Sequence, residues 1–224
     1  LVQHPHIIRL EDVFETGATM YIVMELIKGG ELFDNIVGRS RFTENEARQL
    51  IKPLVDAVAY LHSLGIVHRD IKPENILCGD KVHDVSIADF GLSKLVHPNE
   101  LMTMPCGTLT YVAPEVLSMQ GYHMEADMWS IGVIMYLVVR GRLPYDGDEQ
   151  QAIVQRILHE PLDFSSGVWA HWSTRGVEFI QKLLEKNPSR RLTPRQALQH
   201  PWLRQPPPEP TSPQAHPGAA AAAR

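Results

Sequence analysis

The chain has 224 residues, a formal net charge of −5, and a composition that is 44% hydrophobic and 21% charged. This length suits one domain with a sizeable core, and the composition is ordinary for a globular protein. Without a Lys/Arg excess, a nucleic-acid groove is excluded as the main binding surface. The longest apolar run, residues 129–139, is shorter than the roughly 20 residues that cross a bilayer, so no membrane association is expected.

The cysteine content indicates a reducing compartment. Cys78 and Cys106 are the only cysteines, which is too few for a disulfide scaffold. We therefore expect the protein in the cytoplasm or the nucleus.

The first predicted element is a β-hairpin. Residues 8–14 and 19–25 are rich in Ile, Val, Phe and Tyr, and Thr16-Gly17-Ala18 between them is typical of a turn. A long helix is predicted to begin near Thr43, where Thr43 and Glu46 form a capping box ahead of an apolar 3.6-residue period.

The rest of the chain is predominantly helical in pattern. Pro53 lies inside the long helix and lacks a backbone donor, so we expect a kink there. The Pro/Ala-rich stretch 205–224 has no apolar period and is predicted to be a disordered tail. Further helices are predicted near residues 125–140, 147–159, 174–186 and 194–200. Strands followed by helices predict an α+β fold.

Polar residues that suit phosphoryl transfer follow the long helix. In His68-Arg69-Asp70, the Asp70 carboxylate can accept the proton of an attacking hydroxyl, and Lys72 can neutralise charge on a phosphate. Asn75 and Asp89, the latter in Asp89-Phe90-Gly91, offer oxygens to a hard cation such as Mg²⁺. Either triplet alone would be an ordinary loop or turn. Together they indicate transfer of a phosphoryl group from a nucleotide to a hydroxyl.

Over residues 1–203 the chain resembles the eukaryotic protein kinases. The motifs that carry the resemblance occur in the family's order: His68-Arg69-Asp70, Asp89-Phe90-Gly91, Ala113-Pro114-Glu115, Asp127-Met128-Trp129-Ser130 and Arg191. The resemblance implies a kinase-like α+β fold with a mostly helical large lobe and a remnant hairpin of the small lobe. Its implied divisions are a small-lobe remnant at 1–24, a hinge at 25–29, a large lobe at 30–204 and the tail at 205–224.

The resemblance also implies roles for the catalytic residues. Asp70 resembles the catalytic base, Lys72 the phosphate-contacting lysine, and Asn75 and Asp89 the Mg²⁺ ligands. Thr108 resembles the threonine that contacts the base and selects Ser/Thr acceptors. ATP and Mg²⁺ are therefore the implied cofactors.

Several supporting residues match family positions too. His68 and Phe90 match the apolar spine behind the site, and Asp127 would hold the backbone of the catalytic loop. Glu115 and Arg191 would form a buried ion pair. The resemblance thus makes these residues structural.

The nucleotide side rests on alignment with the family. Met24 would be the gatekeeper, and the backbones of Glu25 and Ile27 would hydrogen-bond adenine. Leu77 matches the apolar floor under adenine, although an ordinary core leucine explains it almost equally well. Glu31 could accept hydrogen bonds from the ribose hydroxyls.

Acidic residues indicate a preference for basic substrates. In the basophilic kinases that the chain resembles, acids at the positions of Glu31 and Glu74 read an Arg three residues before the phosphoacceptor. An Arg–carboxylate bond is charge-assisted and often bidentate. The alternatives are a helix-start glutamate and a solvated loop acid.

Regulation is expected on the activation segment. Arg69 would pair with a phosphate there, and the candidate phosphosites are Thr103 and, second to it, Ser93. Thr103 is one place further from Gly107 than is usual in this group, so an exposed loop threonine is the alternative reading.

Two segments place the chain in the calcium/calmodulin-dependent kinase group: residues 29–34 and His200-Pro201-Trp202-Leu203. Residues 7–16 and 107–111 look most like the checkpoint kinase 2 branch. No basic amphipathic helix follows residue 203, so no calmodulin-binding segment is predicted. The expected partners are protein substrates with basic residues near Ser/Thr, and neither nucleic acid nor membrane.

Part of the family's phosphate-binding equipment is absent from this sequence. It contains no Gly-x-Gly-x-x-Gly, and Lys28 is the only lysine before residue 52. We therefore predict an N-terminally truncated kinase chain with little activity by itself and a partly exposed hairpin. The alternatives are a pseudokinase-like scaffold that binds peptides, and a non-kinase binding module. The complete set of Asp70, Lys72, Asn75 and Asp89 favours a kinase.

Overall fold

The computed structural model describes residues 2–37, 42–81, 83–97 and 100–204, so the predicted tail lies outside the described residues. Its strands are β1 (Leu10–Thr16), β2 (Thr19–Met24), β3 (Ile66–Val67), β4 (Ile76–Cys78), β5 (Val85–Ile87) and β6 (Lys94–Leu95). Its helices are α1 (Leu32–Val37), α2 (Glu44–Ser63), α3 (Pro114–Leu117), α4 (Glu125–Arg140), α5 (Gln150–His159), α6 (Thr174–Leu183), α7 (Pro194–Gln199) and α8 (Pro201–Arg204). The strands pair antiparallel as β1–β2, β3–β6 and β4–β5. The predicted α+β fold is confirmed.

The N-terminal hairpin pairs β1 with β2 and is exposed on both faces. Gly17 makes the turn with a left-handed φ of 59°, which costs a glycine little. The predicted exposure is confirmed for Leu10 (40%), Val13 (45%), Ile22 (57%) and Met24 (49%). The hairpin is joined to the helical part through the preceding segment, where Ile8 N donates to Ile87 O at 2.9 Å.

The long helix α2 begins where the sequence predicts. Thr43 accepts a hydrogen bond from Glu46 N, and the Glu46 carboxylate accepts one from Thr43 N at 2.8 Å, so the predicted capping box is confirmed. The helix is unbroken through Pro53, which is buried in it. A proline removes a single ladder bond, and close packing of the apolar face keeps the helix continuous.

The core is built around α4, whose predicted range of 125–140 is confirmed. Trp129 and Tyr136 are fully buried, because α4 packs against α2 on one side and α6 on the other. A Cβ on Gly132 would lie 2.9 Å from Leu183 Cβ, so this glycine permits the close approach of α6. Among the described residues, no helix is long and apolar enough to span a membrane.

The remaining helices are shorter than predicted. Helix α5 begins at Gln150 because Glu149 is extended, and α6 begins after the Ser173 cap and ends at Leu183. Helix α7 follows the predicted cap: Thr193 and Gln196 form a capping box, with Pro194 in the first turn. The differences lie at element ends, where periodicity carries little information.

A buried ion pair ties α3 to the loop before α7. Arg191 donates to both carboxylate oxygens of Glu115, at 2.6 and 2.8 Å. Its guanidinium also donates to Glu125 O and Glu185 O, both at 2.9 Å, and lies 5.3 Å from the centre of the Trp129 ring. The Arg191 charge is therefore buried with its donors satisfied.

We predict that Glu115→Ala strongly destabilises the fold. It would leave the fully buried Arg191 guanidinium without its counter-ion, which typically costs about 3–5 kcal/mol. Urea unfolding followed by circular dichroism measures the loss. The matched control is Glu178→Ala, because Glu178 and its partner Lys182 are 47% and 45% exposed and such a pair is worth less than about 1 kcal/mol. Equal losses in the two variants would contradict the prediction.

Candidate active site

The loop after β3 is held in place by the buried carboxylate of Asp127 at the start of α4. Asp127 Oδ2 accepts from His68 N at 3.0 Å, and Oδ1 accepts from Arg69 N at 2.9 Å. Arg69 has a φ of 70°, a left-handed conformation that is unfavourable for a residue with a side chain. The hydrogen bonds to Asp127 hold the strained backbone in this conformation.

A histidine from α2 completes the surroundings of Asp127. His62 Nε2 lies 2.8 Å from Asp127 Oδ2. Burial raises the pKa of Asp127, but the hydrogen bond and charge of His62 and the hydrogen bond from the Arg69 N–H outweigh it and hold the pKa below its usual value. Sequence analysis missed His62, because 65 residues separate it from Asp127 and no local pattern links them.

His68 connects two loops behind the site. It is fully buried, its Nε2 lies 3.0 Å from Ala88 O, and its Nδ1 accepts from Asp70 N at 3.3 Å. A carbonyl at one nitrogen and an N–H at the other require the tautomer protonated on Nε2. The Phe90 ring packs edge-on against the imidazole at 4.9 Å. The structure thus places both predicted spine residues together.

The predicted catalytic residues converge on the Asp70 carboxylate. Lys72 Nζ lies 2.9 Å from Oδ2, and Asn75 Nδ2 donates to Oδ2 at 3.1 Å. The backbone N–H and the hydroxyl of Thr108 both donate to Oδ1 at 3.1 Å. Lys72 Nζ also donates to Thr108 Oγ1 at 3.0 Å. Residues 36 positions apart in sequence thereby share one hydrogen-bonded cluster.

The surroundings of Asp70 favour its ionised form. Burial raises the pKa of Asp70, but hydrogen bonds from Lys72 and Thr108, together with the Lys72 charge, lower it further than burial raises it. The carboxylate is therefore ionised at neutral pH, and it can accept a proton from a hydroxyl brought to it.

The β4–β5 hairpin brings the predicted metal ligands together. Asn75 precedes β4 and Ala88 follows β5, and Ala88 N donates to Asn75 O at 2.8 Å. Asp89 is the next residue; its exposed carboxylate accepts from Gly91 N at 3.1 Å, and its φ of 57° is left-handed. Asn75 Nδ2 donates to Asp70 O at 2.9 Å, so the amide oxygen is the atom left for a cation.

The donor set of Asn75 and Asp89 fits Mg²⁺. Amide and carboxylate oxygens are the ligands this hard cation prefers, and it commonly keeps waters and phosphate oxygens in its remaining positions. No group of three or more His, Cys, Asp or Glu side chains able to hold a metal occurs in the described part of the chain. Two protein oxygens leave the remaining positions of such a cation open to waters or phosphate oxygens.

The predicted hinge follows β2. Met24 ends that strand, and Glu25 N donates to Arg9 O at 3.0 Å. Glu25 Oε1 accepts from Arg9 N at 2.9 Å, so both its backbone N–H and its side chain bind Arg9. Ile27 is half-buried beside it. A Cβ on Gly29 would lie 2.2 Å from Cys78 O, so a glycine is required where the hinge region crosses β4.

The predicted substrate acids lie near the same strand. Leu77, half-buried on β4, forms a β-bridge with the exposed Glu31. Glu74 lies in the short turn before β4, and its Oε2 is buried without a hydrogen-bond partner among the described residues. Burial, followed by the negative charge of Glu74, raises the pKa of Tyr111. Glu74 thus presents a carboxylate with unused hydrogen-bonding capacity.

The two candidate phosphosites of the activation segment have different surroundings. Thr103 is exposed and follows Met102, whose backbone exchanges two hydrogen bonds of 2.9 Å with Tyr122. Ser93 Oγ donates to Phe90 O at 2.7 Å and is part of a turn. Arg69 Nε donates to Leu92 O at 2.6 Å, and no hydrogen bond within the described ranges joins Arg69 to Thr103.

We predict that Asp127→Asn lowers the free energy of unfolding by about 1–3 kcal/mol, because the amide offers one oxygen where the carboxylate offers two. Since the folded pKa lies below the ordinary 3.8, the carboxylate's contribution is present above that pH and is lost as pH falls through the folded value. Chemical unfolding at pH 7 and at successively lower pH measures both effects. Asp148→Asn, at an exposed carboxylate, is the control; an equally small loss in both variants would contradict the prediction.

Comparison with known proteins agrees with this geometry. The family model of the protein kinase domain matches residues 1–203. Myosin light chain kinase A of Dictyostelium discoideum is 48% identical over 205 residues, which cover 91% of this chain and 70% of that protein. Calcium/calmodulin-dependent protein kinase type IV of Mus musculus is 46% identical over 90% of this chain and 44% of its own length.

A further relative is calcium/calmodulin-dependent protein kinase type 1B of Rattus norvegicus, 44% identical over 90% of this chain and 59% of its own length. The chain thus spans roughly half of the length of the calcium/calmodulin-dependent relatives. Because the family match covers nearly the whole chain and includes every residue of the Asp70 cluster, the chain belongs to the protein kinase domain family.

Proposed function

We propose that this chain is the phosphotransfer domain of a Ser/Thr protein kinase of the calcium/calmodulin-dependent group, with ATP as donor and Mg²⁺ as metal. The observation that carries the proposal is the Asp70 carboxylate, held by Lys72, Asn75 and Thr108 within 3.1 Å. Catalysis of phosphoryl transfer consists mostly of positioning and charge stabilisation, and this cluster supplies both.

Each member of the cluster has a separate task. Asp70 orients the acceptor hydroxyl and takes its proton, while the Lys72 ammonium neutralises charge on the transferred phosphoryl group. Thr108, in the activation segment, donates two hydrogen bonds to Asp70 and so helps to orient the base. Bound Mg²⁺ supplies further charge neutralisation at the phosphates, held by Asn75 and Asp89.

The substrates that suit this site are proteins with a basic residue near the Ser or Thr. Support comes from Glu74, whose buried Oε2 has no hydrogen-bond partner among the described residues. An arginine would satisfy it with a charge-assisted bond. Glu31 pairs with Leu77 of β4 through an isolated β-bridge, and its exposed side chain adds a second acid. The narrower similarity to the checkpoint kinase 2 branch stays a prediction from sequence.

The alternative is a scaffold that binds peptides without transferring phosphate to them. The two functions differ in whether the protein transfers phosphate, which makes a direct assay decisive.

We predict that Asp70→Asn lowers kcat by about 10²–10⁴-fold when the natural full-length protein is expressed and assayed. Asparagine can still accept hydrogen bonds from Thr108 but cannot take the proton of the acceptor hydroxyl. Transfer of labelled phosphate from MgATP to a peptide with Arg three residues before Ser measures the effect. Asp148→Asn, at an exposed carboxylate outside the cluster, is the control and should keep wild-type activity. A wild-type protein that binds the peptide without phosphorylating it would favour the scaffold.

We predict that Glu74→Gln weakens recognition of the basic peptide. The KM for the Arg-containing peptide should rise by about tenfold with kcat little changed, because the lost interaction is a charge-assisted bond to bound substrate. With a peptide that has Ala in place of that Arg, wild type and variant should perform equally. Glu178→Gln is the matched control; a similar KM in Glu74→Gln and wild type would rule out this role for Glu74.

A further inference from the structure

A cavity of about 830 Å³ lies between α2, the start of α4 and α7, away from the Asp70 cluster. This volume is within the range of small-molecule sites, about 300–1,000 Å³. None of the residues lining it belongs to the predicted catalytic, nucleotide or substrate set. The cavity therefore has no role in the proposed phosphate transfer.

The cavity has apolar walls and acidic groups. Met124, Pro194 and Leu198 provide apolar surface, while Asp56 and Glu125 provide carboxylates. Asp56 is occupied, since His4 Nε2 lies 3.4 Å from its Oδ2.

Glu125 differs from Asp56 in that one of its oxygens is unused. Its Oε2 is buried and accepts no hydrogen bond from the described residues. Arg195, on the rim, forms no ion pair with it within the described part of the chain. A buried carboxylate oxygen without a partner is unfavourable, so a ligand that donates a charged N–H here gains the interaction that the protein does not supply.

One wall of the cavity is His62, which connects it to the catalytic loop. His62 Nε2 lies 2.8 Å from Asp127 Oδ2. Asp127 in turn accepts the N–H groups of His68 and Arg69, and Asp70 is the next residue. A ligand that moves the His62 ring therefore changes the hydrogen bond that orients the backbone of the catalytic base.

We propose that this cavity binds a small organic ammonium ion with an apolar body, and that its occupancy is transmitted through His62 and Asp127 to the catalytic loop. The ammonium group pairs with the Glu125 carboxylate after a rotation of its terminal torsion, which is a soft coordinate. The apolar body packs against Met124 and Leu198. Binding in this cavity and its effect on the loop are independent of phosphate transfer, because both are measured as structural changes.

The test is a nuclear magnetic resonance titration of the natural protein with phenethylammonium. The expected result is saturable binding with shifts of the His68 and Arg69 amide resonances. Glu125→Gln should weaken binding by about tenfold, since it removes the charge from a charge-assisted bond. Asp148→Asn should bind as wild type does. The neutral isostere 2-phenylethanol should bind about tenfold more weakly than the ammonium ion.

Two further variants test the connection and the location. His62→Ala should still bind phenethylammonium but lose the shifts at His68 and Arg69. Ala59→Phe, which places a ring in the cavity from α2, should abolish binding. Absence of saturable binding, equal affinity in Glu125→Gln, or binding without movement of the two amides would each overturn the proposal. If His62→Ala does not fold, the Glu125 and Ala59 variants still decide the site, and the wild-type amide shifts decide the coupling.

Discussion

The buried carboxylate of Asp127 is the constraint on which the rest of the site depends. It accepts the consecutive N–H groups of His68 and Arg69 and keeps Arg69 in a left-handed conformation. A charge in a fully buried position is costly unless it is paired and hydrogen-bonded, and His62 provides a third partner. Asp127 lies in the first turn of the central helix α4. The loop that carries Asp70 is therefore attached to the most buried element of the fold.

The reactive groups are brought together by short connections around that loop. His68 binds the loop after β5 through Ala88 O, and Ala88 N binds Asn75 O, so the base and the metal ligands share one framework. Thr108 adds the activation segment by its hydrogen bonds to Asp70. The position of that segment and the orientation of the Asp70 carboxylate are therefore linked.

Buried charged side chains in this structure differ in whether their polar atoms have hydrogen-bond partners. Arg191 is fully buried with its donors used, so it contributes to the fold alone. Glu74 and Glu125 each bury an oxygen that has no partner among the described residues. Buried polar atoms are almost always paired in proteins, so each of these two oxygens calls for an explanation. The first belongs to the predicted substrate acid Glu74, and the second lines a cavity that also contains His62.

The sequence by itself determined the fold class, the long helices and their caps, and it predicted the phosphotransfer residues, because helical periods, capping boxes and the motifs around Asp70 are local in the chain. Only the tertiary structure decided which of these residues meet. It joined Thr108 to Asp70, left Glu74 Oε2 unpaired, and brought in His62, which no local pattern indicates. Contacts between distant segments depend on how α2 and α4 pack, and that packing is a property of the whole core rather than of any short stretch.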